Sequence, residues 1–135
     1  MSIRSLFLVT LVVDDYDRAL DFYCGIMGFD LVSDTLLEAT KRWVVVRPPG
    51  KEGAALLLAR ADGDAETAAI GNQTAGRVSF FLKTDDFADD HARLSAKGVR
   101  FIEEPRHEPY GTVAVFEDCY GNLWDLIQHA DDAAS

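Results

Sequence analysis

The chain has 135 residues, 48% hydrophobic and 27% charged, with a formal net charge of −10. That length buries a core without disulfide or metal staples, while the acidity argues against nucleic acid or an anionic membrane, both of which reward clustered Lys and Arg. No apolar run approaches the roughly 18 residues of a membrane-spanning helix, and the opening Met1-Ser2-Ile3-Arg4-Ser5 carries no secretory pattern.

Leu6 to Val13 is nearly continuous in apolar and β-branched residues and predicts a buried strand. Tyr16, Ala19, Leu20, Tyr23 and Met27 then follow at helical spacing over Asp15–Ile26, closed by Gly28. Short strands are expected over 29–33, 43–46 (stopped by Pro48-Pro49-Gly50) and 54–59. Residues 62–75 predict a polar connector around a short Ala-rich helix. The order then recurs: strand 77–83, helix 86–96, strand 99–102, loop 103–111, and a hairpin of 112–117 with 123–128. The tail from Ala130 predicts fraying. The carboxylates Asp14, Asp15, Asp17, Asp85, Asp86, Asp89 and Asp90 fall at the two helix starts, where they cap free N–H groups and favour the helix dipole. Much of the net charge is therefore structural. Cys24 and Cys119 have no CxxC partner and predict free thiols in a cytoplasmic protein.

Strand, acidic helix start, helix, glycine turn and strand thus occur twice. The expectation is an α+β fold: one domain of two βαβββ modules, 4–61 and 76–129, whose mixed sheets curl around a central cavity.

The stretches Thr10-Leu11-Val12-Val13-Asp14-Asp15, Ala19-Leu20-Asp21-Phe22-Tyr23, Met27-Gly28-Phe29 and Phe116-Glu117-Asp118-Cys119-Tyr120-Gly121-Asn122-Leu123-Trp124-Asp125-Leu126 carry a resemblance. The chain resembles, from about Leu6 to Gln128, the vicinal oxygen chelate superfamily of glyoxalases, bleomycin-resistance proteins and extradiol dioxygenases. In the metal-dependent members, the resemblance implies, two His and two carboxylate or Gln side chains hold one divalent ion, from the first and last strand of each half. Here those slots carry Leu8, nothing ligating in Ala54–Ala59, Arg77 and Asp125. A lone carboxylate does not hold a divalent ion. No cofactor is expected, and a divalent metal is the alternative. The superfamily also implies a homodimer pairing modules across a two-fold axis.

Strict alternation places Leu8, Thr10 and Val12 on the cavity face, with Arg77, Ser79 and Phe81 opposite Leu123, Asp125 and Ile127. An Arg77–Asp125 pair would put a guanidinium where the metal sits, or turn it toward an anionic ligand; the other reading leaves Arg77 capping a strand start in water. Trp43 and Tyr110 are candidate aromatic walls. Arg106 and His107 lie on a polar loop at the proposed cavity mouth, His107 as a candidate base whose plainer role is solvated. Trp124 should face the helix side, as core. The favoured function is a small-molecule binder without the usual metal centre. The alternatives are a glyoxalase-type lyase or dioxygenase whose metal site is rebuilt from Asp125, His107 and the Glu103–Glu108 loop, and a scaffold with a filled cavity. The acidic surface suits a cationic ligand, and Arg77 an anionic one.

Overall fold

The computed structural model describes residues 2–50 and 52–130. It divides into two compact units, one ending at Gly71 and the other starting at Asn72. The first boundary lies beyond the module end expected at 61, because the connector is not independent: Asp64–Ala69 forms helix α2, which packs on β1. Most of the tail expected to fray, 131–135, lies outside the described residues. Ala130 itself donates its N–H to the Tyr110 carbonyl at 2.8 Å.

The first unit runs β1 (Leu8–Val13), α1 (Tyr16–Leu20), a π-helical turn (Asp21–Ile26), β2 (Asp30–Leu36), β3 (Arg42–Arg47), β4 (Ala55–Arg60) and α2. Its sheet has the order β1-β4-β3-β2, with β1 parallel to β4 and the rest antiparallel. Asp15 caps α1 by accepting from the Asp17 N–H at 3.3 Å. Helical spacing was legible, but the widening to a π-turn was not: the Met27 N–H bonds to the Phe22 carbonyl, five residues back, at 2.8 Å. This turn buries Phe22 and Tyr23 together, and Gly28, at φ 78°, ends it. Leu11, Leu58 and Val44 lie side by side across three strands, all fully buried. They form the floor of the core on one sheet face.

The second unit runs β5 (Val78–Lys83), α3 (Phe87–Ala96), β6 (Arg100–Phe101), β7 (Arg106–Glu108), β8 (Gly111–Glu117) and β9 (Leu123–His129). The order is β5-β9-β8-β6, with β7 also on β8, and β5 runs parallel to β9. Asp86 caps α3 through the Asp89 N–H at 3.1 Å. Gln128 ties that helix start to β9 by accepting from the Phe87 N–H at 2.8 Å. Trp124, 3% exposed, packs at a tilt on Phe80 (4.7 Å) and stacks with Phe116 (6.0 Å), the core role expected of it. His91 packs between Phe87 and Phe101, with ring centroids at 5.6 and 4.2 Å.

The chain is therefore α+β with two mixed sheets of four and five strands, in the repeated order the sequence predicts apart from the added β7.

Candidate functional site

Each sheet has a second face, set by register. In the first unit Leu8, Thr10 and Val12 lie opposite Ala55, Leu57 and Ala59, and Leu57 lies opposite Val45. Trp43 and Arg47 flank Val45 by alternation on the same face. Thr10, Trp43, Leu57 and Ala59 line a cavity of about 650 Å³, with Lys41 and Glu66 also on its wall. Trp43 is 40% exposed. Arg42 borders the cavity but is committed elsewhere. It donates from Nε and Nη2 to Asp34 (3.1 and 2.7 Å) and from Nη1 to Asp17 (3.0 Å), and it lies 5.1 Å from the Tyr16 ring centre. These bonds hold the Asp34 carboxyl below its ordinary pKa and raise that of Arg42. Arg47 was missed in the sequence because its strand was ended one residue early. Its Nε is buried with no hydrogen-bond partner.

In the second unit Phe81 lies opposite Asp125, and Asp125 opposite Val115. Phe81 is 69% exposed. The expected alternation of Arg77 and Ser79 with Phe81 fails, and a bulge is the reason. Leu123 and Asp125, two apart on β9, pair with Val78 and Phe81, three apart on β5. Val78 therefore occupies the place given to Ser79, whose Oγ instead lies 2.7 Å from Thr74 Oγ1. Arg77 is exposed at the bend before β5, where only its backbone bonds to Thr74, and it forms no pair with Asp125.

The cation beside Asp125 is Arg106. The segment expected as a loop contains β7, and the pairing Arg106↔Val113 puts Arg106 on the face of Val115 and Asp125. Its Nε donates to both Glu103 oxygens at 3.2 Å and its Nη1 to Glu108 at 3.1 Å. Glu103 in turn accepts the Val115 N–H at 3.1 Å, filling the gap between β6 and β7 along β8. Asp125 is half-buried and its Oδ1 is buried with no hydrogen-bond partner. Burial raises its pKa; Arg106 opposes that rise and Glu103 adds to it. His107, next along β7, points to the opposite face and its Nδ1 lies 3.3 Å from Thr112 Oγ1. Tyr110 is exposed in the turn after β7.

The superfamily's metal can be tested against these donors. Leu8 and the β4 side chains offer none, Arg77 is a cation, and Asp125 stands with Arg106 for a neighbour. Among the described residues no three His, Cys, Asp or Glu side chains converge as a metal site. The residues do not fit that ion. The rebuilt alternative meets the same geometry: Glu103 and Glu108 bracket a guanidinium and His107 faces away.

The sequence model of the Glyoxalase/Bleomycin resistance protein/Dioxygenase superfamily matches residues 5–126. The chain belongs to this superfamily. It is 54% identical over 129 residues to an uncharacterized protein of Shewanella frigidimarina, covering 95% of this chain and 96% of that one. Among solved structures it is similar to TnmS3, an antibiotic binding protein from Streptomyces sp. CB03234: TM-score 0.75, 32% identity, covering 96% of this chain and 99% of that one. UcmS2 gives TM-score 0.80 at 29% identity, covering 94% and 98%.

Proposed function

We propose that this superfamily member binds a small molecule against its open sheet faces and does so without a metal centre. The observation that carries this reading is the first unit's cavity of about 650 Å³, with Trp43 40% exposed on its wall. That volume is in the range of small-molecule sites, which run about 300–1,000 Å³, and its floor of Leu57 and Ala59 is apolar. A scaffold with a filled cavity would leave no such space. TnmS3, at 32% identity, is an antibiotic binding protein, which supports a ligand rather than a macromolecular partner. No helix among the described residues is long and apolar enough to cross a membrane. Cys24 and Cys119 are half-buried and outside any disulfide, in keeping with a reducing cytoplasm.

The direct test is a fluorescence screen with planar aromatic compounds. The chain has two Trp residues, and Trp124 is buried, so quenching by a ligand reports Trp43. Trp43→Ala is expected to weaken binding about tenfold, or ~1.4 kcal/mol. Equal affinity in the variant overturns Trp43 as a wall. Metal independence is read separately, by elemental analysis of protein purified without chelators and titration with Zn²⁺, Ni²⁺, Mn²⁺ and Fe²⁺. Stoichiometric uptake overturns it. The same reading includes a homodimer, because Leu6 and Phe7 are each 73% exposed beside β1.

A further inference from the structure

The second unit's open face carries an unbalanced charge pattern around Asp125. Asp125 Oδ1 is taken out of water without a donor, which costs free energy in any carboxylate. The cations around it cannot meet the need. Arg106 is held by Glu103 on one edge and Glu108 on the other. Arg100 lies 3.6 Å from Glu117. Arg77 is off the face at the bend before β5, and exposed Lys83, at the far end of β5, has a contact of its own. Around Asp125 the carboxylates of Glu103 and Glu108 outnumber the one guanidinium between them. An anionic group arriving here meets an excess of like charge, while an N–H⁺ donor meets a half-buried carboxylate whose Oδ1 has no donor. Phe81, opposite Asp125 across β5 and β9 and 69% exposed, offers a flat apolar wall beside that acceptor, where a ring and a cation are both favoured.

We infer that Asp125 receives a protonated amine carried on an aromatic body that packs on Phe81. This rests on the small-molecule reading and settles the conflict between acidic surface and internal arginine in favour of a cationic ligand, because the arginines of this face are either spent or turned away.

A matched series of one ring with three head groups tests it: 2-naphthylmethylamine, 2-naphthylmethanol and 2-naphthoate, titrated by calorimetry into the wild-type protein and into Asp125→Asn. The expected order is amine tightest, alcohol next and carboxylate weakest, with at least tenfold between the first and last. Asp125→Asn should remove most of the amine's advantage and leave the alcohol within about threefold. Should the variant fold poorly, the wild-type order alone decides. Three equal affinities, or preference for the carboxylate, overturn the inference and leave the small-molecule reading standing. An amine preference that survives in folded Asp125→Asn also overturns the role of Asp125. Failure of all three ligands to bind overturns both.

Discussion

Arg42 joins three pieces of the first unit, reaching Asp34 on β2, Asp17 in α1 and the ring of Tyr16. Its fork on Asp34 is bidentate and only partly exposed, so it exceeds an ordinary surface pair. Asp34→Asn is expected to lower stability by about 1 kcal/mol at pH 7. The sign of its pH dependence follows from linkage. The folded pKa of Asp34 lies below the ordinary 3.8, so its contribution is complete above that value and is lost as pH falls through the folded pKa. Denaturant melts at pH 7 and pH 3 check this: the variant should lose less, relative to wild type, at pH 3. An equal deficit at both would place the effect in packing. Asp125 has the opposite sign. Burial raises its pKa, so its charged form is disfavoured in the fold and stability declines as pH rises from 3.8 through the folded value. Asp125→Asn is therefore expected to be at least as stable as wild type at pH 7 by denaturant melts. A marked loss would mean that the carboxylate is held by contacts rather than exposed to a ligand. This residue costs stability where it stands, as groups kept for binding commonly do.

At the scale of elements, the strands and helices followed from hydrophobic period and their order from the repeat, whereas the parallel pairing of β1 with β4 and of β5 with β9 is seen only in the structure. The candidate site was less legible, for identifiable reasons. The bulge between Val78 and Phe80 has no glycine to signal it, and it moved every position before it to a new place on the face. That single residue separates Arg77 from Asp125. The strand Arg106–Glu108 was hidden in a polar run whose pairing comes from β8, not from its own composition. Arg47 lay one residue past a strand end that Pro48 made look earlier than it is. By contrast Leu8, Thr10, Trp43, Phe81 and Asp125 lie on the open sheet faces, where their strands keep alternation locally. The β7–β8 hairpin that carries Arg106 depends on one glycine. A Cβ on Gly111 would stand 2.3 Å from the Gln128 carbonyl oxygen of β9, a backbone atom that cannot swing aside. Gly111→Ala is expected to destabilise by about 1–3 kcal/mol and, by displacing Arg106, to disturb ligand binding as well. A thermal melt unchanged from wild type would show that the strands have room to part there.

For the whole molecule the competing terms are a charge of −10 and apolar side chains left in water. Leu6 and Phe7 precede β1 and are each 73% exposed, yet their backbone is fixed: the Phe7 carbonyl accepts from the Ala55 N–H at 2.9 Å. A pair of large side chains held out in this way is better explained by a second copy than by chance exposure. Two copies of an acidic chain repel, and that repulsion is long-ranged at low salt, where the Debye length is about 30 Å at 0.01 M and about 8 Å at 0.15 M. Apolar burial is not weakened by the same salt. The proposed dimer is therefore expected to tighten as ionic strength rises from 0.01 to 0.15 M, by sedimentation or light scattering, whereas an interface built on ion pairs would loosen. The double substitution Leu6→Ser with Phe7→Ser should shift the protein toward monomer at both salts while leaving the melting of the first unit nearly unchanged, since neither side chain belongs to its core. A monomer in wild type at all concentrations would overturn the proposed dimer, and a dimer that weakens with salt would place its cohesion elsewhere than in this apolar pair.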